Sequence, residues 1–250
     1  MKRIILIVGM HRSGTSVVSR CMQVFNISLG DNLMPPDDYN PKGFYEDLDI
    51  YQLNEKILEY IGQYWDTPEV IPPSIFNDIY TVFSTEGRSI IKKKMSNVNT
   101  YSFKDPRTSI LLPFWKKVLI TLTIDFQYIF VYRNPLSVID SLSKRDSFDI
   151  QKTIQLWLKY NQSILTHTDP LKTLCVNYDD VMHNTREQIL RMSTFLNLKP
   201  NTHKVSLLCN HFIDDALRNS LYRPEDFLNN SGYDKTARDV YRNILKFHNQ

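Results

Sequence analysis

A chain of 250 residues with 42% apolar content is long enough to bury one substantial α/β core, and we expect a single domain over residues 1–250. Thirty basic residues against 27 acidic ones leave a formal charge of +3, which excludes a surface built to wrap nucleic acid, so any cationic function must be local. Cys21, Cys175 and Cys209 are widely spaced and form neither a disulfide framework nor a zinc motif, as expected of a cytoplasmic chain without a metal.

Ile4 to Val8 is a continuous apolar run with β-branched residues, which predicts a strand covered on both faces. His11 and Arg12 interrupt the apolar stretch and no cleavage site follows, so it does not read as a signal peptide. No run is long enough to span a bilayer. Thr15 to Phe25 carries Val17, Val18, Cys21, Met22 and Phe25, the spacing of a helix with one buried stripe. Gly30 to Gly43 is rich in Pro, Asp, Asn and Gly, and reads as a long loop of the kind that forms lids or binding segments. Helical patterns return at Asp47 to Gly62 and, less cleanly, at Ser74 to Met95.

Val98 to Phe103 predicts a second strand leading into KDPR, and Gln127 to Tyr132 a third leading into Arg133-Asn134-Pro135. Asn134 suits a cap and Pro135 the first helical position, so a helix should start there. Ile154 to Leu165 predicts a helix, Thr173 to Val176 a strand and Glu187 to Leu196 another helix. Strands alternating with helices predict an α/β fold: a three-layer parallel sheet flanked by helices, with its ligand crevice at the strands' carboxyl ends. Residues 1–198 carry the motifs and 199–250 form a helical C-terminal part.

The segment between the first strand and helix, GMHRSGTS, has the strand-glycine loop-helix context of a phosphate-binding loop. Thr15 stands where nucleotide triphosphatases carry a lysine, and Arg12 supplies a cation earlier in the loop. The amides at a helix N-terminus bind an oxyanion without that lysine, because donors and dipole belong to the backbone. With the lysine absent and no acidic strand end suited to Mg²⁺, metal-assisted triphosphate chemistry is disfavoured. A second site is Arg133 at a strand end with Ser141 two helical turns later, able to clamp another phosphate. Alone, this pair reads equally as an arginine paired with a carboxylate beside a solvated serine.

Taken together, Arg12-Ser13-Gly14-Thr15-Ser16 and Arg133 with Ser141 resemble the sulfotransferases that use 3′-phosphoadenosine 5′-phosphosulfate, PAPS. The stretch Cys175 to Leu198 is similar to the family segment that runs into a helix ending in FLGL, so the likeness covers residues 4 to about 198. It implies the phosphate-loop fold of nucleoside triphosphate hydrolases in its sulfotransferase form. It further implies that Arg12 and Ser13 to Ser16 bind the 5′-phosphosulfate, that Arg133 and Ser141 bind the 3′-phosphate, and that no metal is needed. The product would be adenosine 3′,5′-bisphosphate.

The resemblance makes Glu46 in NPKGFYED the candidate base, with His11 as rival, and Lys104 in FKDPR the cation that steadies the bridging oxygen. Glu46 reads otherwise as an acid favouring a helix start, and Arg107 as a tie to Asp105. Tyr178 is a candidate for packing on adenine. Val17 replaces the family's tryptophan, Asp105 replaces the catalytic histidine of cytosolic animal members, and the glycine-rich C-terminal closure is unrecognisable. Arg218, Arg223 or Lys235 could substitute for that closure. A hydroxyl-bearing small molecule, saccharide or glycolipid is the expected acceptor, with Tyr45, Tyr64 and Trp65 as ring-stacking candidates. The competing functions are a phosphate-loop kinase using Arg12, or a nucleotide-binding module without chemistry.

Overall fold

In the computed structural model, which describes residues 2–37, 40, 42–213 and 221–248, a parallel sheet has the order β2-β1-β3-β4, with β1 (Arg3–Val8), β2 (Thr100–Lys104), β3 (Asp125–Tyr132) and β4 (Thr173–Asn177). The chain starts in the middle of the sheet, adds β2 on one side and then crosses to the other for β3 and β4. The register aligns Ile7 with Lys104, Val8 with Phe130 and Tyr132 with Asn177. The carboxyl ends of all four strands therefore open on one edge. A parallel sheet that reverses its winding there forms a crevice, which is where α/β proteins bind ligands.

Both faces of the sheet are apolar, which is why its strands read as continuous runs rather than alternating ones. Ile4, Leu6 and Val8 of β1 point to one side with Phe126, Tyr128, Phe130 and Tyr132 of β3. This aromatic face is covered by α2 (Leu48–Tyr60), α3 (Phe76–Lys94), α4 (Leu112–Thr121), α6 (Ile150–His167) and α11 (Lys235–His248), through side chains such as Ile57, Ile91, Trp115, Trp157 and Tyr241. Ile5, Ile7, Ile129 and Val131 point to the other side, against Val18, Cys21 and Met22 of α1 (Thr15–Met22) and Ile189, Met192 and Leu196 of α8 (Thr185–Leu196). Sheet and two helical coats make the three layers expected.

Several boundaries differ from the sequence pattern. The helix expected over Thr15 to Phe25 ends at Met22, and a 3-10 turn over Gln23–Phe25 closes it on Asn26 at φ 58°. The segment from Ser74 to Met95 splits into a 3-10 turn over Pro73–Ile75 followed by α3. The α4 helix was not anticipated, because its stripe of Leu112, Trp115, Val118 and Leu119 merges with the preceding apolar residues. Asn134 does cap α5 (Pro135–Asp146), accepting from the Leu136 amide at 3.0 Å, with Pro135 in the first turn.

Candidate active site

The loop between β1 and α1 is closed by steric demands that only glycine meets. A Cβ on Gly9 would lie 2.4 Å from the Val131 carbonyl oxygen, because β1 leaves the sheet against the β3 backbone. Ser109 fixes that corner, accepting from the Gly9 amide at 3.0 Å and donating to its carbonyl at 3.1 Å. Gly14 caps α1 at φ 88°, and a Cβ there would lie 2.0 Å from the Tyr178 ring. Thr15, where triphosphatases carry lysine, is buried as the first residue of α1. The loop thus presents the start of a helix with its unpaired amides and positive dipole end.

Arg133 leaves the end of β3 and is buried, its guanidinium lying 4.6 Å from the centre of the Tyr178 ring. Its Nε and Nη2 are buried without a hydrogen-bond partner. Buried guanidinium donors are normally paired, so two orphaned ones mark a place for an anion. Tyr178 opens α7 (Tyr178–His183) at the end of β4, so it separates Gly14 of one strand's loop from Arg133 of another. Arg12 donates from Nε to Ser141 Oγ at 2.8 Å, so its side chain lies on the α5 wall. That differs from the sequence expectation, which gave Arg12 and Ser141 to opposite ends of a ligand. At φ 65°, Arg12 turns the chain so that its side chain reaches α5. Burial first, then Arg145 and Arg133, push the Arg12 guanidinium below its ordinary value. Three cations crowd this wall, and Arg145, one helical turn beyond Ser141, is a residue the sequence reading passed over.

Lys104, at the end of β2, reaches the opposite side of the loop. Its Nζ donates to Glu46 Oε1 at 2.6 Å and to Ser16 Oγ at 3.3 Å. Glu46 lies just before α2, whose cap is Asp47, and is therefore outside the helix rather than in its first turn. Burial raises the Glu46 carboxyl above the usual range, against the opposing pull of Lys104. Asp105, in the place of the family histidine, is buried and accepts from Asn54 at 2.8 Å and from Arg107 at 2.9 Å. That contact is the tie to Asp105 expected of Arg107, which also bonds Glu55. His11 lies against Trp65, ring centres 4.5 Å apart and planes tilted by 46°, and its Nε2 is buried without a partner. Burial, then the charges of Arg107, Arg145, Lys104 and Arg12, push the imidazole well below its ordinary value.

These groups line one cleft of about 580 Å³, from Lys104 and Glu46 at one side to Arg133, Ser141 and Arg145 at the other. Comparison with known proteins then decides the family, since the family model for the sulfotransferase domain matches residues 2–223. The chain belongs to the sulfotransferase domain family.

Solved structures similar to this sulfotransferase include the sulfotransferase domain of an olefin synthase from Synechococcus PCC 7002, with a TM-score of 0.59 and 13% identity over 98% of this chain and 94% of that one. The sulfotransferase domain from the curacin biosynthetic pathway is similar at a TM-score of 0.50 and 17% identity, over 98% and 97%. Sulfotransferase STF9 from Mycobacterium avium is similar at 0.52 and 13%, over 98% and 76%. At such identities the likeness is one of fold. No curated protein matches the sequence.

Of the three aromatic residues expected to stack on an acceptor, only Trp65 lines the sulfotransferase cleft, and it is already packed against His11, Phe148 and Arg145. Tyr45 packs on Phe212 instead, and Tyr64 is 63% exposed away from the cleft. Lys42 of the long loop donates to the Phe212 carbonyl at 2.6 Å, joining that loop to the C-terminal part. Arg223 and Lys235 do not line the cleft, and Arg218 lies outside the described residues. Among the described residues there is no cluster of His, Cys, Asp and Glu that could hold a metal, and no helix long and apolar enough to cross a membrane.

Proposed function

We propose that this sulfotransferase uses PAPS and transfers its sulfuryl group, by direct in-line displacement, to a hydroxyl on a saccharide or glycolipid acceptor. The observation that carries the donor assignment is the pair of orphaned, buried Arg133 donors in the same cleft as the phosphate loop. One anion site at a helix N-terminus and a second beside Ser141 suit a nucleotide phosphorylated in two places. The donor supplies an activated sulfuryl group on its 5′ side.

In this reading the amides of Gly14 to Ser16 hold the 5′ side, the Ser13 amide being turned to the Met10 carbonyl at 3.2 Å, and Arg133 with Ser141 holds the 3′-phosphate. Arg12 and Arg145 add charge along the α5 wall between them. Tyr178 supports Arg133 and leaves only part of its ring for the adenine. Glu46 is the base and Lys104 the cation for the bridging oxygen. Lys104 rests on Glu46 here, so moving its ammonium to that oxygen frees the carboxylate to take the acceptor's proton. The raised Glu46 carboxyl suits a proton acceptor near neutral pH better than an ordinary glutamate. His11 packs between the Trp65 and Tyr160 rings at the loop and is not the base in this reading. The chain acts as one domain over residues 1–250, with Tyr241 and Ile244 of its C-terminal part in the same core as the sheet.

Labelled PAPS offered with a panel of sugars, glycolipids and phenols tests the activity, and Glu46→Gln should abolish transfer while leaving affinity for adenosine 3′,5′-bisphosphate nearly intact. Calorimetry that showed tighter binding of Mg-ATP than of the bisphosphate would favour a kinase and defeat the reading.

A further inference from the structure

Lys92, Lys93 and Lys94 form a basic run in the last turn of α3, an ordinary position for solvated cations beside helix carbonyls. The structure separates them. Lys92 and Lys93 are exposed, whereas the Lys94 side chain is 1% exposed and its Nζ lies 2.6 Å from Asp31 Oδ1, 2.8 Å from Asp47 Oδ2 and 2.9 Å from Asp49 Oδ2. An ammonium has three protons to donate, and three carboxylates surround this one. Two of them flank the start of α2, and the third begins the long loop.

Asp47, completely buried, is held from two further sides. Tyr101 donates its hydroxyl to Asp47 Oδ2 at 3.0 Å, and Asp47 Oδ1 accepts from the Asp49 amide at 3.0 Å to cap α2. Gly30, at φ 110°, stands where a Cβ would lie 2.0 Å from Asp47 Oδ2, so the loop can begin there only with glycine. Around these contacts the two segments join by backbone bonds. The Met34 amide donates to the Glu46 carbonyl and the Leu48 amide to the Asn32 carbonyl, each at 2.8 Å.

We propose that Lys94 is the positioning residue for Glu46, clamping Asp31 to Asp47 and Asp49 so that Glu46, the residue before Asp47, presents its carboxylate to Lys104. The inference rests on the reading of Glu46 as the base. Without the ammonium, Asp31 of the loop and Asp49 of α2 face a buried Asp47 that has lost its counter-charge, and their repulsion separates the loop from α2. Glu46 then loses the backbone bond that fixes its main chain.

The test uses the full chain in four variants. In Lys94→Met, amide exchange at Met34 and Leu48 should quicken about tenfold or more relative to β3 amides, because only the local clamp opens. The Glu46 carboxyl resonance, assigned by its disappearance in Glu46→Gln, should shift its titration by about half a pH unit or more and return in Lys94→Arg. Affinity for adenosine 3′,5′-bisphosphate should stay within about twofold, since Arg133 and the phosphate loop lie on other elements. Asp31→Asn removes one exposed member of the clamp, and gives an intermediate rise in Met34 exchange even if Lys94→Met does not fold. Unchanged Met34 exchange in either variant, or a loss of nucleotide affinity in step with it, overturns the proposal. Transfer that survives Glu46→Gln would instead overturn the base assignment and leave these exchange results as they stand.

Discussion

Arg12 donates from Nε to Ser141 Oγ at 2.8 Å, linking the loop after β1 to a helix 129 residues further along the chain. The bond places the loop's own cation on the wall that also carries Arg133 and Arg145, so the two proposed phosphate sites would share one bank of positive charge.

Removing part of that bank should discriminate between nucleotides. Arg133→Met is expected to weaken adenosine 3′,5′-bisphosphate by about 10- to 100-fold, the loss of charge-assisted hydrogen bonds, while AMP changes little. Ser141→Ala should weaken the bisphosphate by about fivefold. Calorimetry with both nucleotides checks this, and an equal loss for AMP would place Arg133 elsewhere than at a 3′-phosphate.

Lys104→Met leaves the buried Glu46 with only Arg107, at 4.0 Å, as a counter-charge, which should cost about 3 kcal/mol at pH 7. Lys104 opposes the rise of the Glu46 carboxyl, so its removal raises that group further in the folded state. A carboxyl whose folded value exceeds its unfolded one favours folding at low pH, and the advantage disappears as pH rises through the folded value. The variant's deficit should therefore shrink between pH 7 and pH 5, as urea midpoints at the two values would show. Transfer should fall by about a hundredfold or more, with its acid limb displaced to higher pH.

His11 titrates well below its ordinary value because it is buried among cations. The unfolded chain then binds the proton that the folded chain refuses, so stability is lost as pH falls below about 6.5. His11→Gln should flatten that decline. Proton NMR of the wild-type imidazole between pH 5.5 and 8 should show no titration, and a midpoint near about 6.5 would contradict the burial argument.

Gly14→Ala combines a left-handed backbone with a clash against the Tyr178 ring. Gly62 has φ 67° but open space around it, so Gly62→Ala isolates the backbone contribution. We expect about 1 kcal/mol for Gly62→Ala and about 3 kcal/mol or more for Gly14→Ala. Calorimetric unfolding of the two variants gives the difference, which should be accompanied by weaker bisphosphate binding only at Gly14.

Local spacing was enough to place the first strand, the glycine loop and the start of the helix at Thr15, the cap at Asn134 and the strands that lead into Lys104, Arg133 and Tyr178. Apolar periodicity and turn chemistry act over a few residues, so they can be read along the chain. It could not reveal that Arg12 would reach Ser141, that Lys104 would rest on Glu46, that Trp65 would have its ring covered, or that only the third lysine of a basic run would be buried. Those contacts join residues 129, 58, 54 and 47 positions apart, and they depend on strand order, register and the path of the loop before α2. A side chain's charge is written in the sequence, but its desolvation and its partner are set by which elements pack around it.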